Sequence, residues 1–171
     1  MKRRFAELDP QQALHIAIFI EQRNAELYHR FAEMFAEFSE PESLEISEVF
    51  WEMASEERHH SSLLQSRYAE QYGDSRCALT EEDLLEWIEV PRLQDADLLD
   101  AAACKGNPRS RALEVALEAE IGAQSFYVQL TANTSPGELH NLYDELAQME
   151  DGHVNFLRQK LAAAATEASV N

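Results

Sequence analysis

Residues 13–36 read ALHIAIFIEQRNAELYHRFAEMFA, and residues 112–132 read ALEVALEAEIGAQSFYVQLTA. In the first segment Leu14, Ile18, Ala25, Tyr28, Ala32 and Phe35 recur at helical spacing, and Glu21 falls on the same apolar stripe. The second segment repeats this pattern. Aligning Glu120 with Glu21 also aligns Leu113 with Leu14, Ala116 with Ala17, Leu117 with Ile18 and Tyr127 with Tyr28. Each half of the chain thus carries a glutamate embedded in an apolar helical face.

A second helical pattern follows each segment and is related in the same way. Aligning Glu150 with Glu57 pairs Tyr143 with Phe50, Leu146 with Met53, Ala147 with Ala54, His153 with His60 and Leu157 with Leu64. The two halves read as copies of one helix pair. Glu-x-x-His recurs in both copies, at Glu57/His60 and Glu150/His153, but the motif alone is a poor signal. With 24 Glu and 6 His in the chain, composition alone yields roughly one match; there are four, at Glu26, Glu56, Glu57 and Glu150.

The face decides among them. At about 100° per residue Glu26 lies roughly 140° from Glu21, off the apolar stripe, so Glu26 and His29 read as a solvated pair. Phe50, Met53, Ala54, Leu64 and Tyr68 put Glu57 and His60 inside. The register shifted by one, Glu56 with His59, has allowed spacing but does not reproduce the alignment with the last helix.

Local punctuation delimits four long helices. Asp9-Pro10 with Gln12 offers an N-cap, a proline in the first turn and a capping-box partner for a helix to about Phe38. Ser39-Glu40-Pro41-Glu42 opens the second helix, which stops near Tyr72 because Gly73 can take a left-handed cap conformation. Asn107-Pro108 starts a third, to about Ala132, and Ser135-Pro136-Gly137-Glu138 caps a fourth that reaches the alanine run at 162–165. The short links make helices one and two, and three and four, antiparallel hairpins. Residues 73–107 form a crossover long enough to span a bundle, with Thr80, Asp83, Leu84, Leu85, Trp87 and Ile88 reading as a short amphipathic helix ended by Pro91. The expected fold is all-α: one domain over 1–171, a four-helix bundle of two hairpins joined by one long, ferritin-like crossover.

The formal net charge is −18, which argues against a nucleic-acid surface, since phosphate neutralisation needs clustered Lys and Arg. The basic opening Lys2-Arg3-Arg4 runs straight into Glu7, Asp9 and Pro10 without a signal-peptide apolar region. The apolar run 13–20 contains His15 and stops at Glu21, far short of a membrane span. A cytoplasmic protein without membrane or nucleic-acid partners is expected. Cys77 and Cys104 lie in the crossover without a Cys-x-x-Cys, so thiolate metal sites are not expected and free thiols are.

Four carboxylates pointed into an apolar core would each cost on the order of several kcal/mol unless compensated. No lysine or arginine shares the inward stripe with Glu21, Glu57, Glu120 or Glu150. Two divalent cations would neutralise the four, with His60 and His153 as neutral nitrogen donors. Mixed oxygen and nitrogen ligation suits iron, or manganese in its place. Tyr28 and Tyr127, two turns beyond Glu21 and Glu120, are candidates to hydrogen-bond ligands or relay an electron, or simply to fill the core.

The combined pattern Glu21-x3-Ala25-x2-Tyr28, Ala54-x2-Glu57-x2-His60, Glu120, Tyr127 and Ala147-x2-Glu150-x2-His153 resembles the rubrerythrin-like branch of the ferritin-like di-iron carboxylate superfamily over nearly the full length. The resemblance implies two iron ions per chain, bridged by Glu57 and Glu150, with Glu21 and Glu120 as terminal ligands and one histidine completing each metal. It implies a di-iron oxidoreductase that reduces peroxide or dioxygen. Where rubrerythrins carry an extra glutamate one turn beyond the third-helix ligand, this chain has Ala123, and no rubredoxin domain is appended, so the electron donor is expected to be a separate protein. Ferroxidase action in iron handling, a small-substrate monooxygenase and a metal-free helical module are the competing readings. A homodimer is the expected assembly.

Overall fold

The four segments marked by the apolar repeats are helices in the computed structural model, which describes residues 8–38, 40–75 and 107–170 with Cys77, Leu79 and Asp83. They are α1 (Pro10–Ala36), α2 (Pro41–Tyr72), α3 (Pro108–Asn133) and α4 (Glu138–Val170). Among the described residues there is no strand. The expected crossover helix, apart from Asp83, and Cys104 lie outside them.

Local chemistry accounts for the helix ends. Asp9 accepts from the Gln12 amide at 2.9 Å, and the Gln12 side chain accepts from the Asp9 amide at 3.3 Å, a reciprocal capping box ahead of Pro10. Asn107 caps α3 by accepting from the Arg109 amide at 3.0 Å. Gly73 ends α2 with φ of 57°, a conformation that costs a residue with a Cβ but not glycine. Two boundaries differ from expectation. Regular α1 ends at Ala36, and the chain to Phe38 tightens into i→i−3 bonds from Glu37 and Phe38. Helix α4 runs through the alanine run to Val170, because alanine is the strongest helix former and neither Gly nor Pro follows.

Helices α1 and α2 pack as one hairpin, α3 and α4 as the other, and α1 also packs on α3. The first hairpin is pinned near its closed end by Ser47 Oγ donating to the Ala32 carbonyl at 2.8 Å, and at its open end by Gln11 Nε2 donating to the Tyr68 hydroxyl at 2.8 Å. Between hairpins, Arg67 meets Glu138 at 3.0 Å and Lys160 meets Glu45 at 2.8 Å. The alignment that carries Glu57 onto Glu150 carries Arg67 onto Lys160 and Glu45 onto Glu138, so the internal repeat is visible as a symmetric pair of surface ion pairs.

The repeat also organises the core into two apolar clusters. One gathers Tyr28, Phe31 and Phe35 of α1 around Phe50 of α2, with Leu113 and Ala116 of α3 and Leu157 of α4. Phe50 lies 5.0 Å from Phe31 and 6.2 Å from Phe35, centroid to centroid. The other joins Leu14, Ile16 and Ala17 of α1 to Leu64, Phe126, Tyr127, Tyr143 and Leu146. Aligned positions match in burial: Leu14 with Leu113, Ala17 with Ala116, Tyr28 with Tyr127, Phe50 with Tyr143 and Leu64 with Leu157 are all sequestered. Burying each large side chain contributes about 1.5–3 kcal/mol, which lets the bundle tolerate a polar centre.

Candidate metal centre

That polar centre draws a carboxylate from every helix. Glu21, Glu57, Glu120 and Glu150 are fully buried, and His60 is 4 % exposed. Glu21 rides on α1 and Glu120 on α3. Helices α2 and α4 each add a glutamate and, one turn later on the same face, a histidine.

Two overlapping donor groups result. Glu21, Glu57, His60 and Glu150 form one, and Glu57, Glu120, Glu150 and His153 the other, with the donor atoms of each within 4.8 Å of one another. His60 Nδ1 lies 3.2 Å from Glu21 Oε2, 3.6 Å from Glu57 Oε2 and 3.6 Å from Glu150 Oε1. His153 Nδ1 lies 3.3 Å from Glu57 Oε1, 3.4 Å from Glu120 Oε2 and 3.6 Å from Glu150 Oε2. Glu57 and Glu150 therefore turn one oxygen toward each histidine. Glu21 belongs to one group only, and Glu120 to the other.

The tyrosines cross between the halves. Tyr28 donates to Glu120 Oε1, and Tyr127 donates to Glu21 Oε1. Each terminal glutamate thus gives one oxygen to a buried hydroxyl and the other to a histidine. Burial, then the charges of neighbouring glutamates, raise both phenols well above their ordinary value, so they remain donors. The crossing also runs α1 antiparallel to α3.

The electrostatics are those of a site short of positive charge. Burial first, then the charges of Glu21 and Glu120, push the Glu57 carboxyl well up; burial with Glu120 and Glu57 does the same to Glu150. Burial works against the imidazolium of His60, yet the hydrogen bond to Glu21 and its charge outweigh that and raise it. His153 is raised against the same penalty by Glu120, Glu150 and Glu57. Burial opposes the Glu120 carboxylate, but contacts with Glu150, His153 and Tyr28 hold it below its usual range. The rises at Glu57, Glu150, His60 and His153 run in the direction that a shortage of positive charge produces.

Both oxygens of Glu57 and of Glu150, together with Glu120 Oε2 and His153 Nδ1, are buried without a hydrogen-bond partner. Such atoms ordinarily cost about 1–3 kcal/mol each. All six belong to the two donor groups, and a cation on each side would engage every one. The buried Glu and His side chains can hold metal, and the residue types fit a hard or borderline divalent ion.

All six residues singled out as ligands from the sequence meet at this centre. The pairs set aside do not: Glu26 is exposed and paired with Arg30, His29 leans on Glu33 at 3.5 Å, and His59 is exposed. Glu56 also points outward, but it has a partner that spacing did not reveal. It meets His153 Nε2 at 2.8 Å, behind the nitrogen that faces the cluster. The signal available in the sequence was only that Glu56 neighbours Glu57 on a helix facing α4. Among the described residues no helix is long and apolar enough to cross a membrane, and the Cys77 thiol is unpaired, away from the centre. No family model, curated protein or solved structure matches the chain.

Proposed function

We propose that the protein is a di-iron carboxylate oxidoreductase of ferritin-like architecture that delivers electrons to peroxide or dioxygen. One observation carries this reading: Glu57 and Glu150 each offer one oxygen to either side of the centre, where a histidine and a terminal glutamate complete a separate donor group. A single-ion site has no use for that division. Bound as a pair, redox-active divalent cations supply reducing electrons and Lewis acidity to one small oxygen substrate.

The chain's own residues prepare that chemistry. Glu57 and Glu150 would set the spacing of the pair, Glu21 and His60 would complete one ion, and Glu120 and His153 the other. Tyr127 and Tyr28 bind the outer oxygens of Glu21 and Glu120, fixing which oxygen faces inward. The two flanking apolar clusters keep bulk water from the centre. Ala123, buried at 2 % exposure, offers no further carboxylate. Iron is favoured over softer metals by the oxygen-rich donor set, with manganese its nearest substitute. A separate electron-donor protein and a homodimeric assembly complete the proposal.

Anaerobic titration of the metal-free protein with ferrous iron, followed by peroxide or air, tests it. Two irons per chain, oxidised faster by peroxide than by dioxygen, is the expected result. The reverse order would shift the assignment to ferroxidase or oxygenase chemistry. Iron retained far above two per chain would indicate storage, and no specific binding would leave only a helical bundle.

A further inference from the structure

The two halves of the centre match residue for residue until one looks behind the histidines. His153 presents Nδ1 to the cluster, and its other nitrogen meets Glu56 Oε2 at 2.8 Å. The alignment that carries Glu57 onto Glu150 and His60 onto His153 carries Glu56 onto Met149. A thioether is a weak acceptor and carries no charge. His60 also presents Nδ1 to the cluster, but among the described residues none accepts a hydrogen bond from its Nε2.

The difference matters because a neutral imidazole carries its proton on one nitrogen or the other. A carboxylate accepting from Nε2–H fixes the tautomer in which Nδ1 keeps its lone pair, orients the ring and strengthens it as a donor. His153 has that support from a neighbouring helix, α2, and His60 does not. We propose that Glu56 is a positioning residue for His153, that it makes the two metal subsites unequal, and that the subsite of His153 and Glu120 fills before that of His60 and Glu21. The inference rests on the reading of the centre as a metal pair.

Glu56 and Met149 are both exposed, so either can be changed without opening the core. The experiment titrates the metal-free full chain with cobalt(II), following d–d absorption and heat, for the wild type, E56A and M149E. Exchangeable imidazole N–H signals shifted by the first equivalent of cobalt identify the histidine that is engaged. Removing an outer-shell partner of a ligating histidine ordinarily weakens metal binding by about 10–100-fold. The wild type is expected to bind in two resolved steps, the first through His153. E56A should weaken that step by this factor and leave the other in place; M149E should strengthen the second.

Two equal wild-type steps, or an E56A variant in which both steps fall together or neither moves, would overturn the inference while leaving the metal pair intact. A first equivalent that engages His60 would overturn it too. A wild-type chain that binds no cobalt, iron or manganese would overturn both the inference and the function it rests on.

Discussion

Raising the pH should weaken the metal-free protein, and exchanging two side chains should abolish the effect. Glu57 and Glu150 are raised well above the ordinary 4.5 by burial and by neighbouring carboxylates. An acid whose folded value is raised binds more protons in the native state than in the unfolded one. Stability therefore falls as pH rises from the unfolded value toward the folded one. Each group contributes about 1.4 kcal/mol per pH unit in that window, so the pair gives about 2.7 kcal/mol per unit. Each pH unit inside that window therefore removes a large part of the 5–15 kcal/mol that typically separates native from unfolded chains. Above pH 6.5 the raised His60 and His153 add a loss of the same sign. His15, lowered by partial burial, works the other way below pH 6.5, adding stability as pH rises toward its unfolded value.

The assay is urea unfolding of chelator-treated protein at several pH values. With a urea slope of roughly 2 kcal/mol per molar, the midpoint should fall by about 1.4 M per pH unit within the window that opens above the ordinary carboxyl value. A Glu57→Gln/Glu150→Gln variant keeps the shape of both side chains but has nothing to titrate there, so its midpoint should stay nearly flat across the window. A wild-type midpoint that holds constant or rises, or a variant that keeps the slope, would show that these carboxyls are not held protonated in the folded state.

Metal uptake near pH 6 should expel protons held by Glu57, Glu150, His60 and His153, because ligation requires ionised carboxylates and neutral imidazoles; calorimetry in buffers of differing ionisation enthalpy counts them, and uptake without proton release would contradict the assignment. Glu21→Ala should cost one metal ion per chain and Glu57→Ala both, since Glu57, like Glu150, serves the two donor groups while Glu21 serves one; equilibrium dialysis distinguishes these outcomes. Tyr127→Phe and Tyr28→Phe should each destabilise the metal-free protein by about 1.5–3 kcal/mol, the usual worth of a hydrogen bond to a charged group, read from denaturant midpoints. Unequal losses would show that the crossed tyrosines are not equivalent partners.

Much of this was legible in the chain because the deciding features are local. A glutamate in phase with Leu14, Ile18 and Ala25 must face the core of whatever the helix joins, and Glu57 with His60 is placed inside by Phe50, Met53 and Leu64 in the same way. The repeat then supplies the other half. What spacing does not contain is the register between helices. Tyr28 shares a face with Glu21, yet it serves Glu120, because antiparallel packing of α1 on α3 brings each tyrosine to the opposite glutamate. Glu56 entered the sequence reading only as a ligand in a shifted register; an exposed acid looks like any solvated one until a neighbouring helix shows that it faces His153. The reach of α4 past its alanine run was underestimated because alanines give helical propensity but no amphipathic phase to follow.

The crossed tyrosines also bear on the order in which the molecule comes together. Tyr127 reaches Glu21 across 106 positions of chain and Tyr28 reaches Glu120 across 92, whereas each hairpin closes over a short turn. Contacts near in sequence form before distant ones because their loop-closure entropy is smaller. The two hairpins should be formed while their acids are still apart and hydrated, and docking should be the step that gathers four carboxylates into one dry space. Cations bound by the proposed centre would act at that docking step, so refolding followed with and without them should differ in the late, hairpin-joining phase and not in the early helical one. The centre that can hold metal is thus the last part to be assembled, after most of the helical structure is already in place.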